Sequence, residues 1–178
     1  MDGKKDLLDA SEISLALDSY DDLFSSFDPR PYEHRALSQD FLNETERASR
    51  DKSTGEIELK FLIPEIRRNL NQEKVIKKRL REHFRKHEEI ARKEYNQFLA
   101  RGCFFVLLGI LFMFAASFIL FESVKTLYTS FLVTLLEPAG WFSFWEGLGL
   151  LIFESKVKKP KLNFYRKMSK SEITFLPY

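Results

Sequence analysis

Residues 102–121 read GCFFVLLGILFMFAASFILF, a stretch of 20 residues without a charged side chain. As an α-helix it would be about 30 Å long, which matches the hydrocarbon core of a bilayer. A second apolar stretch follows at residues 127–153, where Glu137 and Glu146 are the only charged residues. The sequence therefore predicts two transmembrane helices, at 102–121 and 127–153, joined by an external connector at 122–126.

The distribution of Lys and Arg predicts the orientation of these two spans. Five of them lie between residues 85 and 101 and four between residues 156 and 161, whereas the connector holds only Lys125. Basic residues accumulate on the cytoplasmic side of membrane proteins. We therefore predict a multi-pass protein of the cell (cytoplasmic) membrane, with the N-terminus and the C-terminus both cytoplasmic.

The second span contains three intramembrane polar residues that are candidates for a functional or a structural role: Glu137, Ser143 and Glu146. Carboxylates in hydrocarbon are costly and usually face a partner, a cavity or a proton path. The sequence leaves two roles open for these carboxylates. One is structural, a hydrogen bond to Ser143 or to a Trp N–H within the helix pair, and the other is ion transport. Pro138 lacks a backbone donor and predicts a kink in this span.

Small residues recur in both spans at intervals of about seven residues. Small side chains let two membrane helices approach closely, so this pattern predicts one packing face on each helix. The residues of the predicted helix packing are Gly102, Gly109 and Ala116 in the first span and Gly140 and Gly147 in the second.

The remaining sequence predicts a small cytoplasmic α/β domain and a long juxtamembrane helix. Its segments are an acidic, partly disordered tail at 1–27, a small α/β region at 28–70, a basic helix at 71–101 and a C-terminal tail at 154–178. The fold class predicted is thus a mainly α membrane protein with a two-helix transmembrane hairpin.

Residues 56–63 alternate between apolar and polar side chains, which predicts a half-buried strand. A lone strand leaves its backbone groups unpaired. Residues 12–15 and 172–175 begin with the same Glu-Ile pair, and one sheet built from all three stretches would bring the C-terminal tail to the N-terminal region.

Two helices are predicted from their caps and apolar stripes. Ser38 is the predicted N-cap of a helix that runs to about Arg50, and Asn71 is the predicted N-cap of the basic helix. The apolar stripe of the basic helix is narrow and consists of Ile76, Leu80, Phe84, Ala91 and Phe98. A narrow stripe on a charged helix predicts one docking face and extensive contact with water.

Few residues indicate ligand chemistry. Arg30, His34 and Arg35 precede the Ser38 helix, so an anion contact at its N-terminus is predicted as a candidate site. His83 and His87 have the i, i+4 spacing of metal ligands, but we interpret them as solvated surface residues because no further Cys or His completes a set. We predict no metal, no cofactor and no catalytic residue, since no nucleophile is paired with a base.

Residues 136–147 read LEPAGWFSFWEG and resemble a signature of an uncharacterised family of prokaryotic two-span (helical hairpin) membrane proteins. The pieces FDPRP at 27–31 and LSQDF at 37–41 are similar to the same family. The resemblance covers most of residues 20–178. It implies a location in the cytoplasmic membrane and carries no activity.

Two functions are compatible with these features. The first is a membrane-anchored interaction or regulatory module that is oligomeric, whose partners are the lipid bilayer and a second copy or another membrane or cytoplasmic protein. The alternative is an oligomeric ion- or proton-conducting assembly that uses Glu146. Nucleic acid is not expected, because membrane orientation already accounts for the basic residues.

Overall fold

A computed structural model describes residues 12–50, 57–122 and 126–178. The described chain is mainly helical and contains one three-stranded sheet. Two compact units are formed, which we name by their content. The sheet unit comprises Met1–Glu89 and Leu162–Tyr178, and the helix-pair unit comprises Ile90–Lys161.

The sheet consists of β1 (Glu12–Ala16), β2 (Glu58–Ile63) and β3 (Glu172–Pro177) in the order β1-β2-β3. Both neighbouring pairs are parallel, with Leu59 opposite Ile13 on one side and opposite Ile173 on the other. The small sheet predicted from the three Glu-containing stretches is therefore confirmed. Its central strand comes from before the apolar stretch and one edge strand comes from after it.

In the described ranges four α-helices accompany the strands: α1 (Gln39–Arg50), α2 (Leu70–Phe121), α3 (Leu127–Gly149) and α4 (Ser155–Lys170). Residues 154–178, expected as a tail, thus contain α4 and β3, because their apolar residues complete the core of the sheet unit. Of the acidic tail predicted at 1–27, residues 1–11 lie outside the described part. The rest contains β1 and a 3₁₀ helix (Tyr20–Leu23) with buried apolar side chains.

The core of the sheet unit is built from one face of the sheet and from the apolar stripes of its helices. From β2, Leu59, Phe61 and Ile63 are fully buried. A strand contributes every second residue to this core, because successive side chains point to opposite faces of the sheet. A helix contributes residues three or four positions apart, because these lie on the same face. The other fully or almost fully buried members include Ile76, Leu80 and Phe84 of α2 and Phe164 and Met168 of α4.

Helix α2 runs without interruption for 52 residues and joins the basic and the apolar stretch. Its cap differs from the prediction, because the side chain of Asn69 accepts hydrogen bonds from the backbone N–H groups of Asn71 (3.0 Å) and Gln72 (3.2 Å). Among the described residues α2 is the one helix long and apolar enough to cross a membrane, by length and composition alone. The two carboxylates of α3 reduce its mean hydropathy.

Helix α3 begins at a capping box, in which the side chains and backbone N–H groups of Thr126 and Thr129 bond reciprocally. It remains helical on both sides of Pro138, where a kink was predicted. The irregular backbone comes later, in a π-helical segment at Leu150–Glu154 that leads directly into α4. Single π turns within α-helices are rare and often lie near functional sites.

Candidate functional site

The apolar part of α2 packs against α3 at backbone contact. A Cβ atom added to Gly109 would lie 2.5 Å from the backbone N of Phe144 and 2.7 Å from the carbonyl O of Gly140. A Cβ at Gly147 would lie 2.6 Å from the backbone N of Val106. Real Cβ atoms do not approach so closely, so only glycine fits at these positions without a shift of the helices.

The other small residues singled out from the sequence lie on the same interface. Gly102 faces Leu151 and the carbonyl O of Gly147, and a Cβ on Gly140 would meet Met113 at 2.7 Å. Ala116 and Ser143 are 2% and 7% exposed. The structure thus brings all five predicted packing residues, and Ser143, into one contact between α2 and α3.

The two carboxylates of α3 lie outside this contact. Glu137 and Glu146 are exposed, and neither has a hydrogen bond or an ion pair within the described residues. The bond expected to Ser143 or to a Trp N–H is therefore not formed, because Ser143 faces α2 whereas the carboxylates lie on the flanks. Nine residues correspond to two and a half helical turns, so the two carboxylates project from opposite sides of α3.

The loop that contains Arg30 and His34 is held by a carboxylate clamp. Asp28 accepts hydrogen bonds from the Arg30 side chain, at 2.9 Å from Nε and 2.7 Å from Nη2, and from the backbone N–H of Ala36 at 2.7 Å. These bonds hold the pKa of the Asp28 carboxyl well below its usual range and raise the pKa of Arg30. The clamp gives the loop one conformation and neutralises much of the Arg30 charge.

Arg35 has a structural role that its sequence position does not show. Its guanidinium bonds to Asp21 at 2.5 Å and to the carbonyl O of Ser25 at 3.1 Å. The backbone carbonyl O of Arg35 accepts a hydrogen bond of 3.2 Å from Nε of Arg79, which lies on α2. Arg35 therefore ties the loop to the 3₁₀ helix and to α2, and two of its donor nitrogens are already engaged by Asp21 and Ser25.

A groove lies between this loop and the first turns of α2, and we call it the loop–α2 groove. It consists of two adjoining cavities of about 580 and 400 Å³ that share Arg30, Glu33 and Val75. The larger cavity is further lined by His34, Lys78, Arg79 and Glu82, and the smaller by Pro31, Tyr32, Arg35, Asn71 and Gln72. No residue of α1 lines either cavity, so this groove does not lie at the N-terminus of that helix, where the anion contact is predicted.

His83 and His87 form part of an aromatic stack. Their rings are 4.0 Å apart, and the ring of His87 is 5.3 Å from that of Tyr165. Burial, reinforced by the charges of His87, Arg79 and Lys86, lowers the pKa of His83 to about 4. The interpretation of both as solvated histidines is therefore wrong for His83, whose Nε2 is buried without a hydrogen-bond partner among the described residues.

A buried polar network at the start of α2 was not found from the sequence. Glu73, 5% exposed, accepts hydrogen bonds from Tyr20 Oη at 3.1 Å and from Arg68 Nε at 2.9 Å. The Tyr20 hydroxyl accepts one from the backbone N–H of Asn69 at 2.9 Å. Tyr20 and Glu73 are 53 residues apart, and no local pattern in the sequence links them.

Within the described residues no group of three or more His, Cys, Asp or Glu side chains is arranged to hold a metal. Comparison with protein-family models, with curated proteins and with solved structures finds no match. The resemblance of residues 136–147 to a two-span family thus stays a hypothesis. Among the described residues, the loop–α2 groove and the carboxylates of α3, which have no partner there, are candidates for function.

Proposed function

We propose that this chain is a two-span membrane protein whose sheet unit is a cytoplasmic interaction module, held at the bilayer by a hairpin of α2 and α3. The observation that carries the proposal is the pairing of β3 with β2. A strand from after the apolar region completes the sheet of the strand from before it. The membrane segment is therefore inserted within one domain.

This pairing supports an even number of membrane crossings. If residues 102–121 cross a bilayer, β3 can join β2 only when the chain returns to the same side before residue 172. The helix available for the return is α3, whose 23 residues extend about 34 Å. The close contact of Gly109 with Gly140 supports the same conclusion, since it joins the two helices directly.

The orientation follows from the basic residues that flank the hairpin. Because nine Lys and Arg lie between residues 85 and 101 and between 156 and 161, against Lys125 alone in the connector, we assign the sheet unit to the cytoplasm.

Labelling of single cysteines tests the topology in a Cys103→Ser background. The labelled variants are Glu65→Cys and Lys170→Cys in the sheet unit and Glu122→Cys at the end of α2, all at exposed positions. A membrane-impermeant maleimide added to intact cells is expected to label Glu122→Cys alone. Labelling of Glu65→Cys and Lys170→Cys from opposite sides would refute the inserted hairpin, and external labelling of both would reverse the orientation.

Self-association is the part of the proposal that rests on Glu146. An intramembrane carboxylate on the flank of the helix pair, without a partner in the described chain, is costly in lipid at about 2.5–3.5 kcal/mol on insertion scales. Contact with a second copy offers it a hydrogen-bond partner and removes it from lipid. The neighbouring exposed Trp141 and Trp145, which stack at 5.8 Å, supply apolar area for the same contact.

Native mass spectrometry of the full chain in mild detergent tests this contact. We expect an oligomer that persists in Glu146→Gln, which keeps the hydrogen-bonding groups, and that weakens in Glu146→Leu. Glu137→Leu, on the opposite side of α3, is the matched control for a change of charge and polarity. A monomer at every concentration would refute the oligomer.

Ion conduction is a second candidate function, favoured by the same unpartnered carboxylate. Glu137 and Glu146 of one chain project from opposite sides, so they cannot share one ion site within a protomer. Conduction therefore requires a ring of protomers around Glu146. Proton flux into proteoliposomes should fall in Glu146→Gln, whereas equal flux in the wild type and the variant would exclude this function.

A further inference from the structure

We propose that the loop–α2 groove binds a small, soluble phosphate ester. Its phosphate lies beside Lys78, Arg79 and His34, and its organic part occupies the adjoining cavity beside Tyr32. The two cavities have the volumes of small-molecule sites, which are commonly about 300–1,000 Å³. This proposal stands apart from the membrane topology and would hold with either orientation.

The phosphate end is defined by Arg79. Its Nε donates to the carbonyl O of Arg35 at 3.2 Å, which orients the guanidinium on the wall of the larger cavity. In the described part of the chain its two Nη groups have no hydrogen-bond partner. A guanidinium held at Nε with a free Nη edge presents the donors that match phosphate oxygens.

Lys78 and His34 add donors to the same cavity. The Lys78 ammonium is 4.0 Å from the Glu82 carboxylate, beyond hydrogen-bond distance, so it can donate to a ligand. The backbone N–H of His34 is bonded to Pro31 O at 3.0 Å, and the residue itself is exposed on the loop. Arg30 contributes less charge, because Asp28 already pairs with it.

The adjoining cavity suits an organic group that carries hydrogen-bonding atoms. Tyr32 is held by a stack on Phe24, with ring centroids 5.0 Å apart, and by a hydrogen bond from its hydroxyl to Asp21 at 3.3 Å. Asn71 and Gln72 line the opposite wall and add amide groups, both donors and acceptors. A nucleotide has this combination of a phosphate and a polar ring.

The groove is preformed on both sides. The clamp at Asp28 and the bonds of Arg35 hold the loop, and α2 forms a rigid wall. A site that is ordered before binding loses less conformational entropy when a ligand enters. Two carboxylates, Glu33 and Glu82, also line the larger cavity and repel an anion. Removal of one of these charges should therefore tighten the binding of a phosphate.

The experiment is isothermal titration calorimetry of the full chain in detergent micelles with adenosine monophosphate. We expect saturable binding that weakens at least tenfold in Arg79→Gln and tightens several-fold in Glu82→Gln. Arg47→Gln, an exposed arginine on α1 outside the groove, should leave the affinity unchanged. Lys78→Gln is measured as well and is expected to weaken binding. It removes a donor to the ligand but keeps the hydrogen bond between Arg79 and Arg35, so its effect cannot come from a displaced loop.

Further probes distinguish the source of the phosphate. Inorganic phosphate should bind more weakly than adenosine monophosphate, since it leaves the second cavity empty, and equal affinity would overturn the assignment of that cavity. Dioctanoyl phosphatidic acid tests a lipid headgroup. Arg79-dependent binding of this lipid without binding of the nucleotide would overturn a soluble ester. Absence of nucleotide binding up to millimolar concentration, or binding unchanged in both Arg79→Gln and Lys78→Gln, would overturn the site.

Discussion

The sheet unit and the helix-pair unit pack residues of opposite kinds. In the sheet unit large side chains such as Phe61 and Phe84 fill the space between strands and helices and are fully buried. In the helix-pair unit the contact is made by residues without a side chain, Gly109 against Gly140 and Gly102 against Gly147. The large side chains there, such as Phe114 and Phe142, point outward and are about 70% exposed.

The membrane location proposed for the helix-pair unit accounts for this contrast. Water drives apolar side chains into an interior, so the sheet unit gains free energy from each buried aromatic ring. Lipid is itself apolar and offers no such gain, so helices there associate through close contact of their backbones. The inversion of small and large residues between the two units supports the membrane location proposed for the second.

The largest expected effect is on the sheet unit alone. Phe61→Ala removes a fully buried ring from the central strand, and we expect a loss of about 3–5 kcal/mol in the free energy of unfolding. Both tryptophans, Trp141 and Trp145, lie in the helix-pair unit, so their fluorescence reports on that unit separately. Urea unfolding followed by circular dichroism should shift while the Trp emission does not. A joint shift would show that the two units unfold together and would contradict the expected effect on the sheet unit alone.

The next effect comes from the buried network of the sheet unit. Glu73→Ala leaves Arg68 and the Tyr20 hydroxyl without their acceptor, and we expect a loss of about 3 kcal/mol in the free energy of unfolding. Glu73→Gln retains an acceptor for Tyr20 but removes the charge opposite Arg68, so an intermediate loss is expected. Equal urea midpoints for Glu73→Ala and the wild type would show that the network contributes nothing.

Two glycines of the helix-pair unit give a matched test of backbone contact. Gly147→Ala places a methyl group 2.6 Å from the backbone of α2, and we expect a loss of about 1–3 kcal/mol in the stability of the helix pair. Gly149→Ala, two residues along the same helix, meets nothing within 4 Å and should be neutral or slightly stabilising. The measurement is the thermal transition of Trp emission in detergent. Equal transitions in the two variants would contradict packing by backbone approach.

Local features of the fold were predictable from the sequence, because they depend on neighbouring residues. The period-two pattern of β2, the start of α1 after the predicted N-cap Ser38 and the buried stripe of α2 all belong to this class. The predicted N-cap of α2, Asn71, lies two residues after the observed one, Asn69. The sequence Asn69-Leu70-Asn71 offers two side chains that can cap a helix. Propensity alone does not choose between them.

The candidate site was predictable only in part, because it joins residues that are distant in sequence. Arg30 and His34 were identified, but Lys78 and Arg79 join them from α2, more than 40 positions along the chain. Arg35 was expected to contact an anion, whereas Asp21, 14 residues earlier, takes its guanidinium. The stack of His87 on Tyr165 likewise depends on the return of α4 to the sheet unit.

The smallest expected effect is a dependence of sheet-unit stability on pH through His83. Because burial lowers the pKa of His83 from 6.5 to about 4, the folded protein holds it neutral in a range where the unfolded chain protonates it. Its contribution to the free energy of unfolding is therefore fully present above pH 6.5 and is lost as the pH falls to about 4. His83 is only partly buried, so solvent screening limits the loss to about 1–2 kcal/mol.

Variants separate this residue from its charged surroundings. The groups that oppose protonation of His83 are His87, Arg79 and Lys86, and the ring of Tyr165 covers the stack from α4. In His83→Gln the urea midpoint should change less between pH 6.5 and pH 4.5 than it does in the wild type. His87→Gln should leave the slope in place, because burial is the larger cause of the shift and the His87 charge the second. The prediction would be contradicted if the pH dependence of the urea midpoint survived in His83→Gln and disappeared in His87→Gln. The dependence would then not come from the buried ring of His83.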